Sequence, residues 1–405
     1  MTPAHSANAM RYPAFQLYWL ARAASVLAIQ IASVSVGWSV YEITRSAFML
    51  GLVGLFQFVP SLLLVLLTGQ IADRYSRRNI MLGCTVLEAI CIGFILIEIE
   101  AGLRSATPIF IALTGFGVAR AFFGPAVQSL MANVVPATAL PSAVSWSTGA
   151  WQLATILGPV IGGLLYGVSA FAAFGTALVL FVMAALLSAF ITDRREAVAK
   201  KTAAWSDVMA GFQYVKSQPI VLGAISLDLF VVLLGGATAL LPVVALDILH
   251  AGPWALGVLR AAAGVGGIGM ALWLAYRPIR ERAGHILFAS VFLFGLATAV
   301  FGLSQSLVIS VIALVLVGAT DMVSVYVRSS IIQLMTPDHI RGRVSALNMV
   351  FVGASNELGE FRAGSIASFT GAAAAIVLGG IGSMAIAGIW FTYFVDLRKI
   401  RTLGR

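Results

Sequence analysis

The sequence predicts an all-α integral membrane protein, with twelve transmembrane helices arranged as two pseudo-symmetric six-helix bundles. Three observations carry this prediction. The 405 residues are 60% hydrophobic and only 10% charged, whereas soluble domains carry about 25% charged residues; too little charge is left to cover a water-facing surface. Apolar runs of spanning length recur along the whole chain. The charged loops between those runs fall at matching places in the two halves, as expected of a duplicated helical unit.

The elements follow in order. The opening stretch MTPAHSANAMRYPAF is short and polar. The apolar run behind it is too long for a signal-peptide core and is not closed by a small-residue cleavage site, so it reads as a retained cytoplasmic tail. Runs of about 20 mostly apolar residues then place six spans at 15–41, 48–69, 79–100, 107–134, 141–168 and 170–192. Between the second and third lies GQIADRYSRR, Gly69 to Arg78. Cys84 and Cys91 sit seven apart on the third span, about 10 Å along its axis, too far to be bridged. They form no disulfide framework or metal-ligand spacing and read as packing residues.

After the sixth span comes the longest polar segment, Thr192 to Gln218. This makes 193–218 a cytoplasmic linker between bundles at 1–192 and 219–405. Its second half carries Trp205, Val208, Met209, Phe212 and Val215 at helical spacing, which predicts an amphipathic helix lying on the membrane surface. Six further spans follow at 219–246, 252–276, 285–304, 306–335, 344–369 and 371–395. RPIRER at 277–282 stands where DRYSRR stood in the first half, and both QSLMANVVPATALPSAVS and IIQLMTPDHIRGRVS join a fourth span to a fifth.

Basic residues orient the chain. On one side of the barrier stand Arg11; Arg74, Arg77 and Arg78; Arg194, Arg195, Lys200, Lys201 and Lys216; Arg277, Arg280 and Arg282; Arg341 and Arg343; and Arg398, Lys399, Arg401 and Arg405. On the other stand Arg45 and Arg104. Eighteen against two places both termini in the cytoplasm. These loops also account for the net charge of +9. A nucleic-acid partner is not expected, because no basic run is interleaved with aromatics.

Five basic residues remain inside spans: Arg22, Arg120, Arg260, Arg328 and Arg362. Five acids match them: Glu88, Asp228, Asp321, Glu357 and Glu360. Each costs about 2.5–3.5 kcal/mol at a helix centre, so they are expected to face one another or a hydrated cavity. Asp228 lies about 14 Å into the seventh span, near the midplane, with Glu88 at similar depth in the third. Glu357 and Glu360 are three apart on one face of the eleventh. A carboxyl that exchanges a proton in a cavity is what proton coupling requires, and Asp228, Glu357, Glu360, Glu88 and Asp321 are the candidates; a static ion pair is the alternative for each. Arg120 is expected to be a buried guanidinium, binding an anionic substrate, tuning a nearby acid or making a structural pair. Arg362 points away from Glu360. Arg328 is two turns from Asp321, too far to touch it, and near enough the cytoplasmic edge to snorkel. Trp19, Trp38, Phe56, Phe58, Trp146 and Trp151 are candidates for the cavity wall.

In GQIADRYSRR, Gly69 ends one helix and Asp73 can cap the next, meet an arginine or accept from the positive end of another helix. Arg77 and Arg78 can reach lipid phosphates or an acid on the neighbouring bundle. Such contacts would latch two halves in one state and release them in the other. The stretch resembles the loop of the major facilitator superfamily, G-x-x-x-D-R-x-G-R-R. Gly69, Asp73, Arg74, Arg77 and Arg78 match, and Ser76 replaces the second glycine. The resemblance implies a gate that stabilises the outward-facing state. In the fifth span ATILGPVIGG resembles that superfamily's antiporter motif, G-x-x-x-G-P-x-x-G-G. Gly158, Pro159, Gly162 and Gly163 match, and Ala154 replaces the first glycine. This implies an exporter that exchanges substrate for protons; Arg120 with Gly124 is loosely similar to an arginine motif linked to proton transfer. ARAFFGPAVQSL, the fifth-span region and RGRVSALNMVFVGASNELGEFRAG resemble a bacterial branch of the superfamily that includes the enterobactin exporter.

The expected function is therefore a secondary active transporter in the bacterial inner membrane, a proton-coupled antiporter. It would export a small amphipathic molecule, such as a siderophore or drug, by rocking one bundle against the other. The expected partners are that substrate, protons and membrane lipids; the chain is expected to act as a monomer without a cofactor, driven by the proton gradient. An uptake symporter is the rival within transport, and the fifth-span motif weighs against it. A non-transporting sensor or scaffold would not need the buried acids. A channel would not need the latch. An enzyme would need a constellation that the scattered His5, His250, His285 and His339 do not offer.

Overall fold

A bilayer offers no water to bond with, so a spanning segment must satisfy its backbone internally, and a single apolar run does so as a helix. The computed structural model describes residues 8–192 and 205–402, and among the described residues there is no strand. The first half holds α1 (Pro13–Thr44), α2 (Ala47–Arg74), α3 (Arg77–Glu100), α4 (Thr107–Val134), α5 (Leu140–Val168) and α6 (Ala170–Ala189). After α7 (Trp205–Ser217) come α8 (Pro219–Gly235), a short α9 (Leu241–Val243), α10 (Pro253–Tyr276), α11 (Ala283–Leu303), α12 (Leu307–Met335), α13 (Asp338–Thr370), α14 (Ala372–Tyr393) and a final turn, α15 (Val395–Arg398). Proline opens α1, α4, α5, α8 and α10. There its missing N–H breaks no helical bond and its fixed φ suits the first turn.

Eleven described segments are long and apolar enough to cross a membrane. The remaining expected span, the eleventh in chain order, is α13, which has ample length at 33 residues but carries Glu357, Glu360 and Arg362 among its apolar residues. The seventh span departs from the expected continuous helix. Regular α-helix stops at Gly235, and the chain goes on through Thr238–Leu240 as 3-10 helix, α9, and Val244–Ile248 as π-helix. Paired glycines at 235–236 remove the side chains that would resist such a break.

The chain divides into two compact units, Met1–Arg45 with Phe56–Thr202, and Ser46–Leu55 with Ala203–Arg405. The first nine residues of α2, 47–55, thus belong with the second unit and the rest of the helix with the first. Each unit has the same internal wiring. In the first, α1 packs on α5 and α6, and α3 packs on α4 and α6; in the second, α8 packs on α13 and α14, and α11 packs on α12 and α14. Around α1, Phe15, Tyr18 and Ala21 meet Met81, Leu130 and Ile191 in a dry core. The second unit buries Leu227, Val231, Leu287, Phe288 and Ile331 together. Close approach is reciprocal where α11 meets α14: a Cβ on Gly295 would lie 2.6 Å from the Gly380 carbonyl oxygen, and one on Gly380 would lie 2.5 Å from that of Gly295. Small residues give such helices their van der Waals contact in lipid.

The linker helix α7 forms where the spacing predicts it, with a different face inward. Residues 193–204 of the linker, and the side chains of Trp205 and Val208, lie outside the described residues. Val215 is buried against Val221, Ile225, Ile332, Val344 and Leu347, and the Tyr214 hydroxyl donates to the Met335 carbonyl at 2.5 Å. This corrects the expectation that Val215 lies on the membrane surface: it docks α7 on the second unit. Met209 and Phe212 stay exposed.

Candidate functional site

The charged loop of the first unit is built as a helix stop and start. Gly69, Asp73 and Arg74 lie in the last turns of α2; their side chains are outside the described residues. Ser76 is the N-cap of α3, and its Oγ accepts from the Asn79 N–H at 3.3 Å. Its φ of −63° is open to any residue, so a serine stands where the family pattern has glycine without strain and adds a cap. Arg78 donates through Nε and Nη2 to Asn79 Oδ1, both at 3.1 Å, and through Nη1 to the Ile191 carbonyl at 3.4 Å. It thereby ties the start of α3 to the chain leaving α6. Arg77 is half-buried beside it.

The glycine motif of α5 is a backbone contact with α1. A Cβ on Gly158 would strike Gln30 and sit 3.5 Å from Leu27 Cδ1, and one on Gly162 would sit 3.0 Å from Ile31 Cα. Pro159 and Gly163 are buried on the same helix, as is Ala154. In α3 Glu88 is 2% exposed, its Oε2 has no hydrogen-bond partner among the described residues, and the Cys84 and Cys91 thiols flank it. Both thiols are free and buried. Arg120, expected to be buried, is exposed on α4; it has interaction partners. Arg22 donates to the Tyr18 hydroxyl at 3.2 Å, and Tyr18 donates to the Val127 carbonyl at 3.1 Å.

The second unit gathers most of the in-span charge into two clusters. In one, Arg328 on α12 forms an ion pair with Asp228 on α8; the two are 5% and 7% exposed. Asp321, two turns before Arg328 on α12, lies within electrostatic reach of both. Two carboxyls therefore share one guanidinium. This corrects the expectation that Arg328 snorkels: its side chain turns into the unit and completes the site around Asp228. In the other cluster Arg260 on α10 stands in the field of Glu360 and Glu357 on α13. The two acids press against the start of α2, where a Cβ on Gly54 would meet Glu357 Oε2 and lie 3.3 Å from Glu360 Oε2. Only glycine leaves that wall open to both carboxylates.

Arg362 sits apart from both clusters, as its spacing from Glu360 predicts. It donates to the Leu234 carbonyl at the broken end of α8, where helical carbonyls have lost their partners and the dipole favours a cation. Ser383 on α14 bonds the Val231 carbonyl one turn earlier at 3.3 Å. Sequence reasoning ranked the acids and missed their bases. Arg260, Arg328 and Arg362 were visible as the arginines left over after the loops were counted, but depth along a span does not show which neighbour a side chain meets.

Among the aromatic candidates, Trp19 packs edge-on to Trp146, Trp38 against Tyr166, and Phe56 against Phe110. Trp151 is exposed and Phe58 half-buried.

The comparisons with known proteins agree with this architecture. The enterobactin exporter EntS of Shigella boydii serotype 4 (strain Sb227) is 26% identical over 404 residues, covering 96% of this chain and 94% of that one. EntS of Escherichia coli O81 (strain ED1a) matches to the same extent. Among solved structures, a D-xylose–proton symporter superposes with a TM-score of 0.72 at 13% identity, over 96% of this chain and 99% of that one. A bacterial homologue of the iron transporter ferroportin gives 0.69 at 16% identity, with the same coverage. At such identities the superpositions show the fold. Residues 4–403 match the family of transmembrane secretion effectors, and the chain belongs to that family of major facilitator superfamily transporters.

Proposed function

We propose that this transporter is a proton-coupled antiporter that exports a small amphipathic molecule, of the siderophore or drug class, across the bacterial inner membrane. The observation that carries the reading is the cluster of Asp228, Asp321 and Arg328, with two carboxyls and one guanidinium. A static pair needs one acid; the second is available to take and release a proton as the site alternates between facing each side. Arg260 with Glu357 and Glu360 repeats the two-to-one ratio on α10 and α13. Glu88, buried with its Oε2 unpartnered among the described residues, is the corresponding acid of the first unit.

Several further features support the reading. The similarity to enterobactin exporters and the α5–α1 glycine contact favour export. The eighteen-to-two asymmetry of loop charges favours cytoplasmic termini. The mechanism is rocking of the first six spans against the last six. Protonation alternates with substrate binding, the protein acts as a monomer, and the proton gradient serves as energy source in place of a cofactor. Gly69, Asp73, Arg74, Arg77 and Arg78 act as the cytoplasmic gate.

The test is transport in inside-out vesicles under an imposed pH gradient, across a panel of siderophores, dyes and antibiotics. Uptake into the vesicles that collapses on adding a protonophore is expected. Flux indifferent to the gradient would reject coupling. Asp73→Asn is expected to lower turnover more than substrate affinity, and an equal loss of both would count against the gate.

A further inference from the structure

The seventh span is interrupted where α13 and α14 close on α8. Regular helix stops at Gly235, and the chain goes on as 3-10 helix, one α turn and π-helix up to Ile248. Departures of this kind inside a long helix mark hinges and functional positions. The stretch is not loose for want of neighbours: Leu240, Leu241, Val243 and Val244 are buried. It packs on α13 at its start and on α10 at its end. Residues 236–248 thus bridge the helix that carries Glu357 and Glu360 and the helix that carries Arg260.

The broken end of α8 is fastened from two sides. Arg362 on α13 donates through Nη2 to the Leu234 carbonyl, and Ser383 Oγ on α14 reaches the Val231 carbonyl at 3.3 Å. The serine has one proton and also points it at its own helix, at the Gly379 carbonyl 3.0 Å away, so Arg362 is the stronger tie. Glycines clear the space. A Cβ on Gly379 would stand 2.6 Å from the Leu234 carbonyl oxygen and 3.4 Å from Arg362 Nη2, and one on Gly359 would stand 2.7 Å from the Val232 carbonyl oxygen. The hold is incomplete, because Arg362 Nε is buried and has no hydrogen-bond partner among the described residues. A buried donor left unmade costs about 1–3 kcal/mol, which favours a second arrangement in which Nε is bonded and Leu234 is released.

We infer that residues 236–248 form a hinged arm and that Arg362 is its clasp. With the bond to Leu234 made, the arm is fixed to α8 and ties the start of α10 to it. With the bond released, the arm and the start of α10 turn about Gly235 and Gly236 while α8 stays in place on α12, α13 and α14. Arg362 is a positioning residue that acts through the opened carbonyl. The link is mechanical, and it holds whether or not Asp228, Glu357 or Glu360 carries a proton.

The experiment is amide hydrogen exchange of the purified full-length protein in phosphatidylcholine nanodiscs, at one pH, without substrate or gradient, so that failure here and failure of proton coupling are distinguishable. In Arg362→Met, exchange across 236–248 should quicken by about tenfold or more, the scale of one hydrogen bond to a charged group. Residues 221–232 of α8, and α11, should keep their wild-type rates, so that the change begins at Gly235. Arg362→Lys should keep most of the protection. Gly379→Ala leaves the arginine in place but wedges it from the Leu234 carbonyl, so it should reproduce the Arg362→Met pattern, and the two substitutions together should add nothing to Arg362→Met alone. Ser383→Ala should have the smaller effect. Unchanged exchange in the monodisperse Arg362→Met protein, equal quickening in α8, the arm and α11, or additive effects of Gly379→Ala and Arg362→Met would overturn the clasp. So would a larger effect of Ser383→Ala than of Arg362→Met, which would give the hold to α14.

Discussion

Arg328 meets Asp228 across two helices and has Asp321 two turns away on its own. Removing one partner of a buried pair leaves the other charge uncompensated, which is worse than removing both. Arg328→Leu should therefore destabilise the protein by about 3–5 kcal/mol, whereas Asp228→Asn with Arg328→Leu should recover most of that loss. Thermal unfolding of the detergent-solubilised protein reads both, and equal melting of the single and double variants would show that the pair is not a unit. Ser76 gives a smaller and cleaner test. Ser76→Ala removes the cap on Asn79 and should cost about 1 kcal/mol, while Ser76→Gly should cost only a few tenths; the reverse order would mean that the turn needs glycine's freedom. At this scale the sequence was half informative. Apolar surroundings singled out Asp228, Glu88 and Glu357 as costly and therefore purposeful, because an ionisable group in a span is conspicuous. Sequence position alone suggests snorkelling for Arg328, the arginine that serves Asp228, because it lies near a span end on α12, whereas burial is set by which helix stands opposite.

Helices were the most legible level, since a run of about 20 apolar residues has few other ways to satisfy its backbone. The expected 107–134 and the observed Thr107–Val134 coincide. The break after Gly235 was not foreseen: two glycines in an apolar run read equally well as a packing notch, and the choice depends on Arg362 and Ser383 arriving from α13 and α14 to bond the opened carbonyls. The docking of α7 was hidden for a similar reason, since an amphipathic face fits a lipid surface or a protein groove equally well. Two predictions belong here. Gly162→Leu would drive a side chain into the backbone of α1 at Ile31 and should abolish transport and accumulation of folded protein, while Ala154→Gly should leave both intact. Val215→Asp places a charge among Val221, Ile332 and Leu347, so amide exchange in α7 should quicken by tenfold or more without a matching change in α11; slow exchange in the variant would show that α7 is held by other contacts.

For the whole molecule, duplication explains the shared wiring of the two units, and divergence shows in their charges. The first unit buries Glu88 with its Oε2 unpartnered among the described residues and exposes Arg120; the second collects two acids around each of Arg328 and Arg260. The proposed cytoplasmic placement of both termini predicts that a cysteine introduced near either terminus reacts with a membrane-impermeant maleimide in inside-out vesicles and not in intact cells. The most direct test of the central claim is proton movement driven by substrate alone, in proteoliposomes holding a pH-sensitive dye and no initial pH gradient. Substrate added outside should drive protons out and alkalinise the lumen in the wild type, and leave it unchanged in an Asp228→Asn, Asp321→Asn double variant that still binds substrate. A lumen that acidifies, or one that does not respond in the wild type while substrate enters, would contradict antiport.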